Sequence, residues 1–139
     1  MTAPDAIVFR TAVPQLDGPT ELDQLGALFR AVGFQRNTAP DYLRQLVDGS
    51  RWVVSAWHEA RLVGFARAIA DGVANAYITT VAVDPAYQRR GIGRGLIERL
   101  VADRPTVKFV LHTSDAGERL YRSLGFVDAP RMLVRDRTA

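Results

Sequence analysis

The chain has 139 residues, 47% of them hydrophobic and 24% charged, which suits one folded domain with a buried core and leaves little room for a second. It contains no cysteine, which excludes disulfides, thiolate metal sites and a cysteine nucleophile and fits a reducing cytoplasm. The net charge is +3, but the basic residues are spread along the chain without a nucleic-acid-binding motif, so we expect no nucleic-acid partner.

The sequence also lacks the signals of membrane insertion, export and metal binding. No apolar run approaches the roughly 20 residues needed to span a bilayer. Residues 1–6 carry neither the basic region nor the apolar region of a secretory signal. The His, Asp and Glu residues nowhere have the spacing of metal ligands. We therefore expect a soluble cytoplasmic domain over residues 1–139, with no membrane partner and no metal.

Hydrophobic spacing predicts a strand and two helices in the first third of the chain. The β-branched and apolar residues over 7–13 are typical of a strand. Apolar residues at helical spacing over 20–32 predict a helix that is capped by Thr20 and ends at Gly33. A second helix is predicted over 40–47, because a proline suits the first helical turn.

The rest of the chain alternates between strand and helix patterns. Two strands, 51–58 and 61–70, form a predicted antiparallel hairpin around a tight turn. The remaining elements are strand 74–83, helix 91–102, strand 108–112, helix 116–124 and one or two strands within 126–134. The order βααβββαβαβ predicts a mixed α/β fold of the α+β type, in which helices flank both faces of a mostly antiparallel sheet.

The most informative segment, 81–95, runs from a strand through a loop into a glycine cluster at the start of a helix. Glycines at alternate positions let phosphates approach the backbone, and the first N–H groups of a helix have no intrahelical partners. With the helix dipole these groups form an anion site, to which Arg90 and Arg94 can add hydrogen bonds. A helix start that needs small residues only for packing is the alternative. The glycines are Gly91, Gly93 and Gly95.

The run Gln-Arg-Arg-Gly-Ile-Gly over 88–93, after a strand ending Val-Asp-Pro, resembles the acyl-CoA pattern of the GCN5-related N-acetyltransferase (GNAT) family. The resemblance implies the GNAT fold and acetyl-CoA as co-substrate, with its pyrophosphate on this loop. It also implies that the backbone of Val81 and Val83 hydrogen-bonds the acetyl carbonyl and the pantetheine arm, as an extended ligand adds to an open sheet edge. The implied cofactor-binding residues are Val81, Ala82, Val83, Gln88, Arg89, Arg90, Gly91, Ile92, Gly93, Arg94, Gly95, Ser114 and Tyr121.

A second segment, 116–126, contains Leu-Tyr-Arg-Ser-Leu-Gly-Phe and resembles the Leu-Tyr-x-x-x-Gly-Phe signature near the end of many GNAT domains. The two landmarks occur in the family's order, and the resemblance extends over 7–134. Within the family, the chain looks most like a bacterial branch related to plastid and cyanobacterial serotonin N-acetyltransferase-like proteins.

The resemblance implies a catalytic role for two residues. It places Tyr121 beside the CoA sulfur, where a phenol can donate a proton as the thiolate leaves. A helix tyrosine whose ring and hydroxyl are satisfied in the core is the alternative. The backbone N–H of Val83 and its neighbours is the expected donor to the developing oxyanion.

No side chain is an obvious general base. In the related branch an Asp commonly stands where Thr80 stands, and threonine is not a base. His112 is a candidate because histidine is a common general base, but a hydrogen-bonded structural histidine is the favoured interpretation. Asp71 is interpreted as a turn former, and a water chain can remove the proton without a side-chain base.

The acceptor pocket is predicted to form from the first two helices and the strand turns. Its candidate lining residues are Phe29, Phe34, Tyr42 and Tyr77, with burial in the core as the alternative. The preferred function is acetyl transfer to the primary amine of a small molecule. A protein Lys or N-terminal acetyltransferase and a non-catalytic acyl-CoA-binding module are the alternatives. A homodimer that pairs through the C-terminal strands is the candidate assembly.

Overall fold

The computed structural model describes residues 6–11, 16, 18–34 and 37–139. Within these residues the strands are β1 (Ile7–Arg10), β2 (Trp52–His58), β3 (Arg61–Ala70), β4 (Asn75–Val83) and β5 (Lys108–Leu111). The α-helices are α1 (Pro19–Ala31), α2 (Pro40–Asp48), α3 (Ile92–Val101) and α4 (Asp115–Ser123), and a short 3-10 turn spans Pro85–Tyr87. Residues 12 and 13 of the predicted first strand lie outside the described residues.

The strands form one sheet in the order β1-β2-β3-β4-β5. The first four strands are antiparallel to their neighbours, and β5 runs parallel to β4. A parallel pair needs a crossover connection, and α3 supplies it. The predicted mixed, mostly antiparallel sheet is therefore confirmed.

Helices cover both faces of the sheet, as predicted. On one face, called here the α3 face, Leu96 and Ile97 of α3 are fully buried. On the other, called the α1/α2 face, Leu25 and Leu43 pack with Phe65 of β3 in a second core. Because each face meets a helix, β3 is buried on both sides over most of its length.

A bulge in β4 changes which side chains share a face. Arg67 of β3 lies opposite Thr80, but the next residue of β3 lies opposite Ile78, so Thr79 is an extra residue in β4. Thr80 follows the pair Phe65–Ala82 and therefore lies on the α1/α2 face. Beyond the bulge, Ile78 is buried in the core of the α3 face, which leaves Tyr77 on the α1/α2 face.

Two predictions about element ends are wrong. Helix α1 begins at Pro19 with Gly18 as its N-cap and no side-chain cap, so Thr20 lies in the first turn. The fixed φ of proline suits the first helical position, which sets the start of this helix. Residues 126–134 form no strand, because Pro130 lacks a backbone N–H and no described strand pairs with the segment.

Two kinds of feature are absent from the described ranges. No helix there is long and apolar enough to cross a membrane. No group of three or more His, Asp or Glu side chains there is arranged to hold a metal ion.

Candidate functional site

The two parallel strands diverge and leave a groove. Pairing between β4 and β5 covers only Asn75–Ile78 of β4, whereas β4 continues to Val83. Beyond Ile78, the edge of β4 that faces β5 therefore has no strand partner among the described residues. The resulting groove of about 890 Å³ is walled by β4, the start of α3 and the β5–α4 connection.

The start of α3 forms one end of this groove. Gly91 is the N-cap with φ of 78°, a left-handed conformation that favours glycine, and nothing lies within 4 Å of the position of a Cβ atom. The first helical hydrogen bond is donated by the Gly95 N–H to the Gly91 carbonyl, at 3.0 Å. The N–H groups of Ile92, Gly93 and Arg94 precede that bond and are left for an anion at the helix N-terminus.

The loop that leads into α3 is fixed by contacts that the sequence did not reveal. Asp84 forms an ion pair with Arg61 at 2.8 Å and accepts a hydrogen bond from the Ala86 N–H at 2.9 Å. The Tyr87 ring is buried, and its hydroxyl lies 2.6 Å from Nδ1 of His58. In the sequence, Asp84-Pro85 signalled only the end of a strand, because the ion-pair partner of Asp84 is 23 residues away in the chain. These contacts hold the loop in place before any ligand arrives.

Ten of the thirteen predicted cofactor-binding residues line the groove. They are Val81, Val83, Gln88, Arg89, Gly91, Ile92, Gly93, Arg94, Ser114 and Tyr121.

The other three predicted residues lie outside the groove lining. The Ala82 side chain is buried in the core of the α1/α2 face. The Arg90 guanidinium lies 5.0 Å from the centre of the Tyr87 ring. At Gly95, a Cβ atom would lie 2.4 Å from Cζ of Phe9. Gly95 is therefore a packing glycine, and the expectation that it belongs to the phosphate site is corrected.

Two of the lining residues also have structural contacts. Arg94 donates a hydrogen bond to Oγ of Ser123 at 2.7 Å and lies 3.5 Å from a carboxylate oxygen of Glu98. Ser114 is the N-cap of α4, and its Oγ accepts a hydrogen bond from the Gly117 N–H at 3.3 Å. Arg94 thus joins α3 to α4, and Ser114 fixes the start of α4 at the opposite wall of the groove.

Tyr121 of α4 is half-buried at this wall, with its ring edge-on to Phe126 at a centroid distance of 5.8 Å. Burial raises the pKa of the Tyr121 phenol above its ordinary value. No described residue forms a hydrogen bond with its hydroxyl. Since no described side-chain polar atom is both buried and unpaired, this hydroxyl reaches open space.

The far end of the groove is aromatic. Phe34, which is 43% exposed, and His112 both line it, and the His112 ring lies edge-on to Tyr77 at 5.9 Å. His112 has no hydrogen bond to any described residue, so the expectation of a hydrogen-bonded structural histidine is corrected. Phe29 is a buried core residue, and Tyr42 is half-buried on α2.

The charges along the groove are basic. Arg89 and Arg94 line it, and no described Asp or Glu does. The nearby Asp71 is fully exposed, and its Oδ1 accepts hydrogen bonds from the N–H groups of Val73, Ala74 and Asn75, which lower its pKa. The interpretation of Asp71 as a turn former is confirmed.

Comparisons with known proteins agree with this geometry. The chain matches the acetyltransferase (GNAT) domain family over residues 48–128. It is 41% identical over 114 residues to GCN5-related N-acetyltransferase 1, chloroplastic, of Arabidopsis thaliana, which covers 78% of this chain and 57% of that protein. It is 35% identical over 117 residues to serotonin N-acetyltransferase 2, chloroplastic, of Oryza sativa subsp. japonica, covering 79% and 58%.

A solved structure shows the same fold over nearly the whole chain. An acetyltransferase of the GNAT family from Streptococcus pneumoniae superposes with a TM-score of 0.76 at 26% identity, over 95% of this chain and 99% of that chain. The chain spans somewhat more than half the length of the two plant relatives, at 57% and 58%. From the matched domain and these similarities, the chain belongs to the GNAT family of acetyltransferases.

Proposed function

We propose that this chain transfers an acetyl group from acetyl-CoA to the primary amine of a small molecule, by direct attack in a ternary complex. One observation carries the proposal. Tyr121, whose hydroxyl has no partner among the described residues, lines the same groove as the edge of β4 beyond Ile78 and the N–H groups at the start of α3. We propose that residues 1–139 act as one catalytic domain.

The described residues fit acetyl-CoA, the acyl donor of this family. The N–H groups of Ile92, Gly93 and Arg94 suit the pyrophosphate, with Arg89 beside them. Gly91 leaves the space that a side chain would fill. The edge of β4 at Val81 and Val83 suits an extended pantetheine arm, which hydrogen-bonds as an added strand.

Acetyl-CoA supplies a thioester, and two groups of this chain stabilise the negative charge that develops during the transfer. A C–N bond to the amine forms while the C–S bond breaks, so negative charge develops first on the carbonyl oxygen and then on the departing sulfur. We assign stabilisation of the oxygen to the backbone N–H of Val83 and its neighbours. We assign protonation of the sulfur to the Tyr121 hydroxyl, which burial keeps protonated.

The attacking amine must also lose a proton, and we assign its removal to His112. Threonine at position 80 supplies no base, and no described carboxylate lines the groove. His112 lines the groove, is exposed, and has no hydrogen bond to a described residue, so its ring nitrogens are open to the amine or to a water between them.

The charges favour a small amine over a polycation. Polyamines and lysine-rich peptides carry several positive charges, and the described lining of the groove offers no carboxylate to pair with them. The aromatic groups at the far end of the groove suit a compact substrate instead.

The test is release of free CoA thiol from acetyl-CoA, with the acetylated product identified by mass spectrometry. The panel holds aromatic amines, amino acids, polyamines and lysine-containing peptides. We expect acceleration by small amines and little by polyamines or peptides. Selective acceleration by a peptide would replace the proposal with a protein acetyltransferase. Tight acetyl-CoA binding without acceleration by any amine would replace it with a non-catalytic acyl-CoA-binding module.

Two further parts of the proposal concern location and assembly. The cytoplasmic location stays a prediction, since two relatives are named as chloroplastic; fractionation of the native cells tests it. We also propose a homodimer through the open edge of β5 and the apolar residues that follow α4. The exposed members of this apolar set are Val127, Met132, Leu133 and Val134.

A further inference from the structure

Arg67 of β3 is a buried arginine without a carboxylate partner. Arg67 is only 9% exposed to solvent. Nε donates to Oγ1 of Thr80 at 3.0 Å, and Nη1 donates to Oγ of Ser50 at 3.3 Å. The ion pairs among the described residues involve other arginines, and Arg67 has none. This is unusual, because buried charges in proteins are normally paired.

Part of the guanidinium remains available to a ligand. A guanidinium has five N–H donors, and two are used by Thr80 and Ser50, which leaves both N–H groups of Nη2 and one of Nη1. Since no described side-chain polar atom is both buried and unpaired, Nη2 reaches open space. Burial lowers the pKa of Arg67, as expected for a charge without a counterion.

Arg67 is not itself among the residues that line the groove, and its hydrogen bond to Thr80 is what connects it there. Thr80, its hydrogen-bond partner, lines the groove and shares the α1/α2 face with Arg67. The reaction is assigned to the edge of β4 at Val81 and Val83, one to three residues further along the strand, or roughly 3–10 Å. This interval matches the separation of an amino group and a carboxylate in one small molecule.

We propose that Arg67 binds the carboxylate of the acceptor, so that the preferred acceptors are amino acids and the corresponding amines without a carboxylate are poor substrates. This inference rests on the proposed function, which leaves the acceptor class open. The unpaired N–H groups of Nη1 and Nη2 match the two oxygens of a carboxylate. An acidic acceptor also agrees with a groove that is lined by arginines and by no described Asp or Glu.

A purely structural role is the competing explanation, since Arg67 also joins the end of α2 to β4 through Ser50 and Thr80. Two variants separate the roles. Arg67→Met removes the charge and keeps an unbranched apolar chain. Thr80→Asp keeps Arg67 and places a carboxylate beside its guanidinium, which would occupy the donors intended for the substrate. Arg104→Met is the matched control, because that arginine lies at the far end of α3 against the Trp52 ring.

The experiment measures binding without turnover. CoA-loaded protein is titrated by calorimetry with N-acetylated amino acids and with N-acetylated amines that differ only by loss of the carboxylate, such as the pair from phenylalanine and phenethylamine. We expect the carboxylated member of a pair to bind roughly 10- to 100-fold more tightly. Both Arg67→Met and Thr80→Asp should abolish that ratio, and Arg104→Met should keep it.

Equal binding within the pairs, or an unchanged ratio in Arg67→Met and Thr80→Asp, would overturn the role of Arg67. If Arg67→Met weakens the binding of both members of a pair and also lowers the melting temperature, the role of Arg67 is structural instead. Thiol release in the same samples reports on the transferase separately. Acceleration by amines without a carboxylate preference would contradict only this inference. A carboxylate preference in binding without thiol release would contradict only the transfer reaction.

Discussion

Tyr121 and Arg67 both keep polar hydrogens that no described residue accepts, although each side chain is partly or largely withdrawn from water. For Tyr121 the removal from water has a chemical use. The phenolate is less stable than in water, so the neutral, proton-donating form persists to higher pH. The nearest ring, Phe126, fixes the orientation of the phenol without accepting a hydrogen bond.

Tyr121→Phe should lower kcat by roughly 100-fold and leave the affinity for acetyl-CoA nearly unchanged. The ring and its contact with Phe126 remain, so only the proton donor is lost. Steady-state rates and acetyl-CoA titrations measure the two effects. Tyr87→Phe is the control, because that groove tyrosine already has its hydroxyl beside His58. Equal rates for wild type and Tyr121→Phe would remove Tyr121 from the mechanism.

The same phenol sets a pH limit. Because the pKa of Tyr121 is raised above its ordinary value of 10.0, the wild-type rate should persist through that pH and fall only above it. Product measured by mass spectrometry avoids the background hydrolysis of the thioester. Tyr121→Phe should lack this alkaline fall, and a decline centred below pH 10.0 would assign the limb to another group.

Sequence patterns predicted Tyr121 and not Arg67, for a physical reason. Tyr121 belongs to the short run 120–126, which resembles a signature of the GNAT family and can be read directly from neighbouring residues in the sequence. The lack of an ion pair at Arg67 is a property of the fold, because the fold places no carboxylate beside its guanidinium. A sequence pattern does not show this. His112 is a similar case, because its lack of hydrogen bonds appears only in the folded chain.

At the scale of elements, the start of α3 shows that neighbouring glycines have different roles. Gly91 adopts a left-handed conformation, Gly93 borders the groove, and Gly95 lies against the ring of Phe9. In the sequence, a glycine that leaves room for a ligand looks the same as one that leaves room for a side chain. Gly95 leaves room for the ring of Phe9, which lies 86 residues earlier in the chain. Both the phosphate-binding and the packing interpretations of this cluster therefore apply, to different residues.

Gly93→Asp should weaken acetyl-CoA binding at least tenfold, equivalent to ~1.4 kcal/mol, because it places a carboxylate beside N–H groups that suit phosphates. Gly93→Ala is the matched control. Its Cβ would meet the flexible Cδ2 of Leu120 at 3.3 Å and Cγ2 of Val83 at 3.9 Å, and it adds no charge. Calorimetric titration with CoA measures both variants. Unchanged affinity in Gly93→Asp would contradict the assignment of the phosphate site.

Gly95→Ala should destabilise the fold by roughly 1–2 kcal/mol, although alanine favours helices, because its Cβ would overlap the Phe9 ring. In a Phe9→Ala background, the same change should be neutral or stabilising, since the obstacle is gone. Urea unfolding of the four proteins in this double-mutant cycle measures the coupling. Additive effects would show that Phe9 is not the reason for a glycine at this position.

Most elements followed from local patterns, and the errors occur where an element depends on a distant partner. The residues over 126–134 have the composition of a strand, but strand formation needs hydrogen bonds from a neighbouring chain segment. Among the described residues, β5 pairs with β4 alone, so the tail receives no such hydrogen bonds although the outer edge of β5 is open. The prediction of Thr20 as the N-cap was wrong for a local reason. The preference of Pro19 for the first helical position sets the start of the helix one residue before Thr20.

At the scale of the molecule, this open edge and the exposed apolar tail lie together. A groove of about 1000 Å³ separates β5 and α4 from the tail, and its lining includes Phe109, Val127 and Met132. Leu133 is 94% exposed. Exposed strand edges and apolar side chains are the features that association covers.

Leu133→Arg together with Val127→Arg should therefore convert a dimer into a monomer, because each change places a charge in the apolar tail. Sedimentation velocity over a range of concentrations measures the mass. Arg137→Ala, a change in the tail that leaves its apolar residues intact, serves as the control and should remain dimeric. A wild-type monomer at every concentration would contradict the proposed homodimer.

The extra residue of β4, Thr79, separates two halves of the strand, and the side chains that share a face have even numbers in one half and odd numbers in the other. From Thr80 onwards, even-numbered side chains point to the α1/α2 face, and before Thr79 the odd-numbered ones do. Deleting Thr79 would join the two halves in a single phase. Ile78 would stay in the core of the α3 face and Tyr77 on the α1/α2 face, because Ile78 and Thr80 already lie on opposite faces and would then be direct neighbours. Deleting Thr79 would therefore leave every side chain of β4 on its present face, whereas deleting any other residue of the strand would exchange inside for outside on one side of the change.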